Sequence, residues 1–164
     1  MANENPYAPP DSNVEVTGSS ELASRGARLG AAIIDTVIFM AVIFPAMYLT
    51  GFWEKSMGGQ QTIVDNLSMA GIGFVAFILL NAYLLTKRGQ TIGKSLVKIR
   101  IVSVDDDRIL SLGKVISLRY APIWIVQQIP VAGPLLGLID PLFIFRSDRR
   151  CIHDLIAGTR VVNA

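Results

Sequence analysis

The sequence predicts an all-α membrane protein, a bundle of four (alternatively three) transmembrane helices with a small cytoplasmic β-hairpin and a disordered N-terminal tail. Three observations predict it. Of the 164 residues, 51% are apolar, and they gather into runs of membrane-spanning length bounded by charge. Between the second and third runs, Val97, Ile99 and Ile101 alternate with Lys98 and Arg100, the period of a strand. Residues 1–20 are rich in Asn, Pro, Ser and Glu and have almost nothing to bury. The chain is sized for one domain, so residues 1–22 are read as a disordered cytoplasmic tail and residues 23–164 as a transmembrane domain. Within the tail, Asn5-Pro6-Tyr7-Ala8-Pro9-Pro10 reads as a solvated segment. The tail carries acids but lacks the basic start of a cleavable signal, so the first apolar run is kept as an anchor.

That first run, 29–53, enters past Arg25 and Arg28, holds Pro45 as a kink point and ends on Trp53 as an interfacial anchor. The second, 67–86, is uncharged and stops at Lys87 and Arg88; Gly71 and Gly73 thin its surface, and Asn81 offers a polar contact between helices. Residues 54–66 hold one base, Lys55. Residues 87–114 hold Lys94, Lys98, Arg100 and Arg108 besides their ends. Basic loops stay inside, which makes this second loop and the N-terminus cytoplasmic. A strand over 97–104 is expected to pair with 109–112 or with 159–162. Asp105-Asp106-Asp107 supplies a turn and lacks the Gly and terminal Glu of a calcium loop. Ser111 caps a third run, 112–129, and the Pro130 to Pro134 breaker precedes a short fourth, 131–145. Crossing once would put Arg146, Arg149, Arg150 and Arg160 outside, against the charge rule. Crossing twice keeps them inside, and a re-entrant fourth segment stays open. The predicted topology is multi-pass, with both termini cytoplasmic.

Asp35, Arg119 and Asp140 interrupt three of these runs, and each lies about 9–10 Å from the cytoplasmic boundary at the helical rise. A charge at mid-membrane costs about 2.5–3.5 kcal/mol, so it requires a partner or water. The shared depth predicts that the three face one another, with Arg28 lining the same surface. Two readings stand: Arg119 ionises one carboxylate and leaves the other to carry a proton or cation, or the charges only tie helices together. One cysteine, Cys151, and one histidine, His153, offer no disulfide framework and no metal set. Neither metal nor cofactor is expected, and no enzymatic activity. His153-Asp154 reads as an acid–base pair or, more simply, a local cap. Gly89-Gln90-Thr91-Ile92-Gly93-Lys94-Ser95 has three residues between its glycines where a phosphate loop needs four, which rejects nucleotide binding. Gly137-Leu138-Ile139-Asp140 with Asp35 faintly matches intramembrane aspartyl proteases, making an intramembrane hydrolase a third class.

Three stretches together resemble the RDD family of small bacterial membrane proteins. They are Arg28-Leu29-Gly30-Ala31-Ala32-Ile33-Ile34-Asp35, the Gly89-Gln90-Thr91-Ile92-Gly93-Lys94 segment, and Arg149 to Val162 with His153, Asp154, Gly158 and Thr159. The resemblance implies that Arg28 is the family's arginine and Asp35 its first aspartate. Its second aspartate is Asp154, or alternatively Asp140. It also implies a membrane domain associated with transport, cation/proton exchange being proposed for some members. The expected partners are the lipid bilayer, a second copy in a homodimer and a small cation or proton, with no nucleic acid. The rival function is a non-transporting scaffold or accessory subunit.

Overall fold

A computed structural model of the chain describes residues 20–164. The tail expected over 1–19 lies outside the described residues. Helix α1 (Arg25–Leu49) starts at Ser24, whose hydroxyl accepts from the Ala27 N–H at 3.1 Å. It runs through Pro45 and stops at Thr50 and Gly51, the latter at φ +68°. Trp53 therefore does not extend the first span as expected. It sits in the short α2 (Phe52–Met57), edge-on to Phe44 at 6.3 Å. Helix α3 (Ile63–Arg88) opens on a Thr62/Asp65 capping box and closes on Gly89. It exceeds the predicted 67–86 at both ends, because capping and dipole interactions favour the polar residues there while hydropathy registers only the apolar middle. These two helices are long and apolar enough to cross a membrane.

The third segment ends at Val126, short of its predicted bound at 129, and the fourth matches its predicted bounds to within one residue. Helix α5 (Leu112–Lys114), a π turn (Val115–Tyr120) and α6 (Ala121–Val126) run on as one helix. Pro122 explains the widened turn: it has no N–H to give, and its ring would strike the Leu118 carbonyl of a regular helix. The Ala121 N–H reaches back to Ile116 O, five residues away. Trp124 then packs against Phe39 of α1 and Phe74 of α3, at centroid distances of 5.8 and 5.4 Å. It fits because residue 73 is glycine; a Cβ there would lie 3.1 Å from the indole. After Val131 (φ +71°) comes α7 (Ala132–Leu142), extended by a 3-10 turn (Phe143–Phe145). Neither segment joins α1 and α3 as a full-length candidate span.

Between α3 and α5 lie the short α4 (Ile92–Leu96) and β1 (Ile99–Ser103). The strand does not form a hairpin with 109–112. Of the two pairings expected, it takes the remote one, antiparallel to β2 (Thr159–Asn163) with Ile101 opposite Val161. Burial decides this. Val161 and Val162 are almost fully buried and Val161 joins Ala31, Leu85, Ile99 and Val115 in the core, whereas Ile109 stays 37% exposed. The turn after β1 is held by the C-terminal strand as well, Arg160 gripping Asp107 through bonds of 2.9 and 2.6 Å. The last residues of the expected tail are also structured. Leu22 bridges Val162, and Glu21 O accepts from Asn163 N at 2.9 Å. The entrance to α1, the segment after α3 and the C-terminus thus meet at one end of the helices. The chain between β1 and β2 must return to the side it left.

Candidate functional site: an Arg–Asp–Arg clamp beside a cationic cavity

Asp35, Arg119 and Asp140 do not bond one another, although Arg119, Asp140 and Arg28 line one cavity as expected. Each binds elsewhere, Arg119 and Asp140 to the short α8 (Ile152–Ile156) and Asp35 to the segment after α3. Asp35 is occupied by the elbow between α3 and β1. It accepts from Thr91 Oγ1 at 2.5 Å and from the Gly93 N–H at 2.7 Å, with Lys94 Nζ at 3.8 Å. The Gly89 to Lys94 motif is built for this docking. Gly89 turns the chain at φ +65°, Gln90 donates to Ile99 O at 2.9 Å, and Thr91 caps α4. Asn81 supports the elbow from α3, accepting the Ile92 N–H at 3.0 Å. Gly93 lies so close to α1 that a Cβ would fall 2.3 Å from Ala31 O. Counting inward from flanking charges placed Asp35 deep in lipid. It misled because the elbow folds up alongside the first turns of α1 and brings polar chain to that level.

Arg119 and Arg28 converge on Asp154, which is completely buried. Each guanidinium takes one carboxylate oxygen: Arg28 Nη2 bonds Oδ2 and Arg119 Nη1 bonds Oδ1. The Cys151 N–H and Thr159 Oγ1 add donors at 3.1 Å each. Asp154 also occupies the third position of α8, so it caps that helix while neutralising two arginines. Thr159, first residue of β2, accepts from Arg119 Nη1 at 2.6 Å. The clamp joins α1, the π turn, α8 and β2. Sequence reasoning offered Asp154 as a motif residue but not as the partner of Arg119. The missing information was the return of the C-terminal segment beneath the helices.

Burial pushes the Asp154 carboxyl upward, and Arg119, with Arg28, more than reverses this, so it stays well below the ordinary carboxylate range. A carboxylate with a depressed folded pKa stabilises fully above the unfolded value, about pH 4, and loses that contribution as pH falls toward the folded value. Thermal unfolding in micelles should therefore show no loss of this contribution down to about pH 4 and a decline below it, a decline that is smaller in the Arg28→Met/Arg119→Met/Asp154→Leu variant, the lowered carboxyls of Asp107 and Asp148 supplying what remains.

Asp140, the remaining member of the expected trio, faces His153. Its two oxygens accept from the His153 N–H at 3.1 Å and meet Nδ1 at 2.6 Å. Burial, then the nearby Arg119 charge, hold the His153 pKa below its usual value, so the ring is neutral at pH 7. Beside this pair opens a cavity of about 570 Å³ whose lining includes Arg25, Arg28, Lys94 and Arg119. Asp140, Cys151 and His153 bring ligand atoms within 4.8 Å of one another, a proximity the sequence did not suggest. They fit a cation poorly. Arg28 Nη2 lies 3.4 Å from Cys151 Sγ, and burial pushes the thiol up to about 11.

Comparison with known proteins agrees with the motifs. Residues 22–158 match the model of the RDD family, and the match contains the elbow, both arginines of the clamp and Asp154. Uncharacterized protein YckC of Bacillus subtilis (strain 168) is 33% identical over 139 residues, which is 84% of this chain and 82% of that protein. No solved structure matches. By a model that covers most of its length, the chain belongs to the RDD family.

Proposed function

We propose that this protein is a transport-associated, multi-pass protein of the bacterial inner membrane, in which His153 and Asp140 exchange a proton at the cytoplasmic mouth of the cavity. The observation that carries this reading is the 2.6 Å contact between an imidazole and a carboxylate on the cavity wall. Asp35 and Asp154 are taken up by fixed donors, which leaves this pair as the one suited to gaining and losing a proton. The four cationic side chains of the lining favour a proton over a metal cation in that role. Four membrane segments, two long and two short, with both termini in the cytoplasm, suit the meeting of β1 and β2 at one end and the basic residues there. The outward apolar faces of α1 and α3 suit lipid and a second copy in a homodimer.

The scaffold reading has its own support. Two buried arginines saturating one aspartate are a packing device, and buried pairs specify arrangement without adding net stability. Enzymatic chemistry is not proposed. The Cys151 thiol is held protonated, and Asp35 and Asp140 are bound to separate partners, so no aspartyl dyad forms.

Proton flux separates transport from scaffolding. In proteoliposomes carrying an internal pH dye, the wild-type chain should pass protons down an imposed gradient. Asp140→Asn should reduce the flux by about 100-fold or more, a loss in the range of a positioned acid–base group, with insertion unchanged. Flux equal to empty liposomes favours the scaffold; flux untouched by Asp140→Asn removes the pair from the pathway.

A further inference from the structure

We infer that the cavity beside the clamp is a seat for one anionic phospholipid, its phosphate held by the basic lining and an acyl chain laid along the apolar wall. The cavity has two characters. Arg25, Arg28, Lys94 and Arg119 supply its basic side, while Leu29, Leu142 and Phe145 supply an apolar side open outward, at 56%, 59% and 68% exposure. A soluble anion has no use for such a wall; a lipid needs both halves.

Charge complementarity points to a single phosphodiester. Lys94 lies near Asp35, Arg28 and Arg119 share Asp154, and Asp140 faces a neutral histidine. Four cations against three carboxylates leave one positive charge. Arg25 carries it, since among the described residues its guanidinium meets only the carbonyls of Ile144, Phe145 and Arg146, at 3.2 to 3.5 Å. The position also fits. The cavity lies at the end of the bundle where the basic residues gather, and basic pockets between helices on the cytoplasmic side suit anionic head groups.

This inference uses the cavity and not proton movement, so lipid retention can be measured without flux and survives its absence. Native mass spectrometry of the full chain from detergent, titrated with phosphatidylglycerol or phosphatidylcholine, tests it. One phosphatidylglycerol should be retained in preference to phosphatidylcholine. Arg25→Gln should weaken that preference about fivefold, the worth of one basic residue near an anionic lipid. Ala32→Leu, which crowds the apolar wall without touching charge, should weaken retention of both lipids. Inorganic phosphate should not compete at the concentrations at which the lipid binds. Equal retention of the two lipids overturns the inference. So does a preference that survives Arg25→Gln but vanishes in Lys87→Gln/Arg88→Gln, which would mark general surface attraction, and so does displacement by inorganic phosphate, which would mark a free-anion site.

Discussion

Asp154→Asn should be severely destabilising, by about 3–5 kcal/mol, because it leaves two buried guanidiniums without their counter-charge. The amide keeps the size of the carboxylate and its place at the start of α8, so the loss reads charge and not shape. Arg28 and Arg119 are 8% and 2% exposed and cannot turn to water without opening the junction of α1, the π turn and β2. Thermal unfolding in micelles should show the drop, together with faster proteolysis after Phe145 as α8 and β2 detach. Replacing all three residues by apolar ones of similar volume, Arg28→Met, Arg119→Met and Asp154→Leu, should restore much of the stability, since the cost lies in the unpaired charge. An Asp154→Asn protein that melts like the wild type would remove the clamp from the account.

Gly93→Ala should have the next largest effect. The added methyl would lie 2.3 Å from the Ala31 carbonyl and 2.8 Å from the Asp35 carboxyl, contacts that backbone on one side and a bonded acid on the other cannot relieve. Overpacking of this kind costs about 1–3 kcal/mol. Here it also takes the Gly93 N–H from Asp35, so α4 should lift off α1. Hydrogen exchange should report faster exchange at Gly93 and along β1, while α6 and α7 stay protected. Gly113→Ala is the control, having no neighbour within 4 Å of the added Cβ.

How much was legible in the sequence differs element by element. Helices α1 and α3 follow from apolar length alone, and their errors sit at the ends, where Gly51 stops one and Thr62 starts the other. The strand at Ile99 was legible from alternation; its partner was one of two, because alternation says nothing about which remote segment returns. The π turn was written in Pro122 but read only as part of an apolar run. The pairing within the Asp35–Arg119–Asp140 trio was the largest error, although Arg119 and Asp140 do share a cavity with Arg28. Depth along three helices is a one-dimensional measure, and it ignored the elbow and the C-terminal segment, which supply closer partners at the same level. The family motifs were more informative than depth, since Arg28, Gly93 and Asp154 each prove to sit at a contact.

The clamp requires Arg119 to pair with Asp154 and not with Asp140. Double-mutant cycles measure this directly, one built from Arg119→Leu and Asp154→Leu, the other from Arg119→Leu and Asp140→Leu, each read as thermal unfolding in micelles. Residues in contact couple by about 0.5–3 kcal/mol and those without shared bonds by little. The Arg119–Asp154 cycle should fall in the upper half of that range, with the Arg119–Asp140 cycle near zero; the reverse ranking would contradict the clamp.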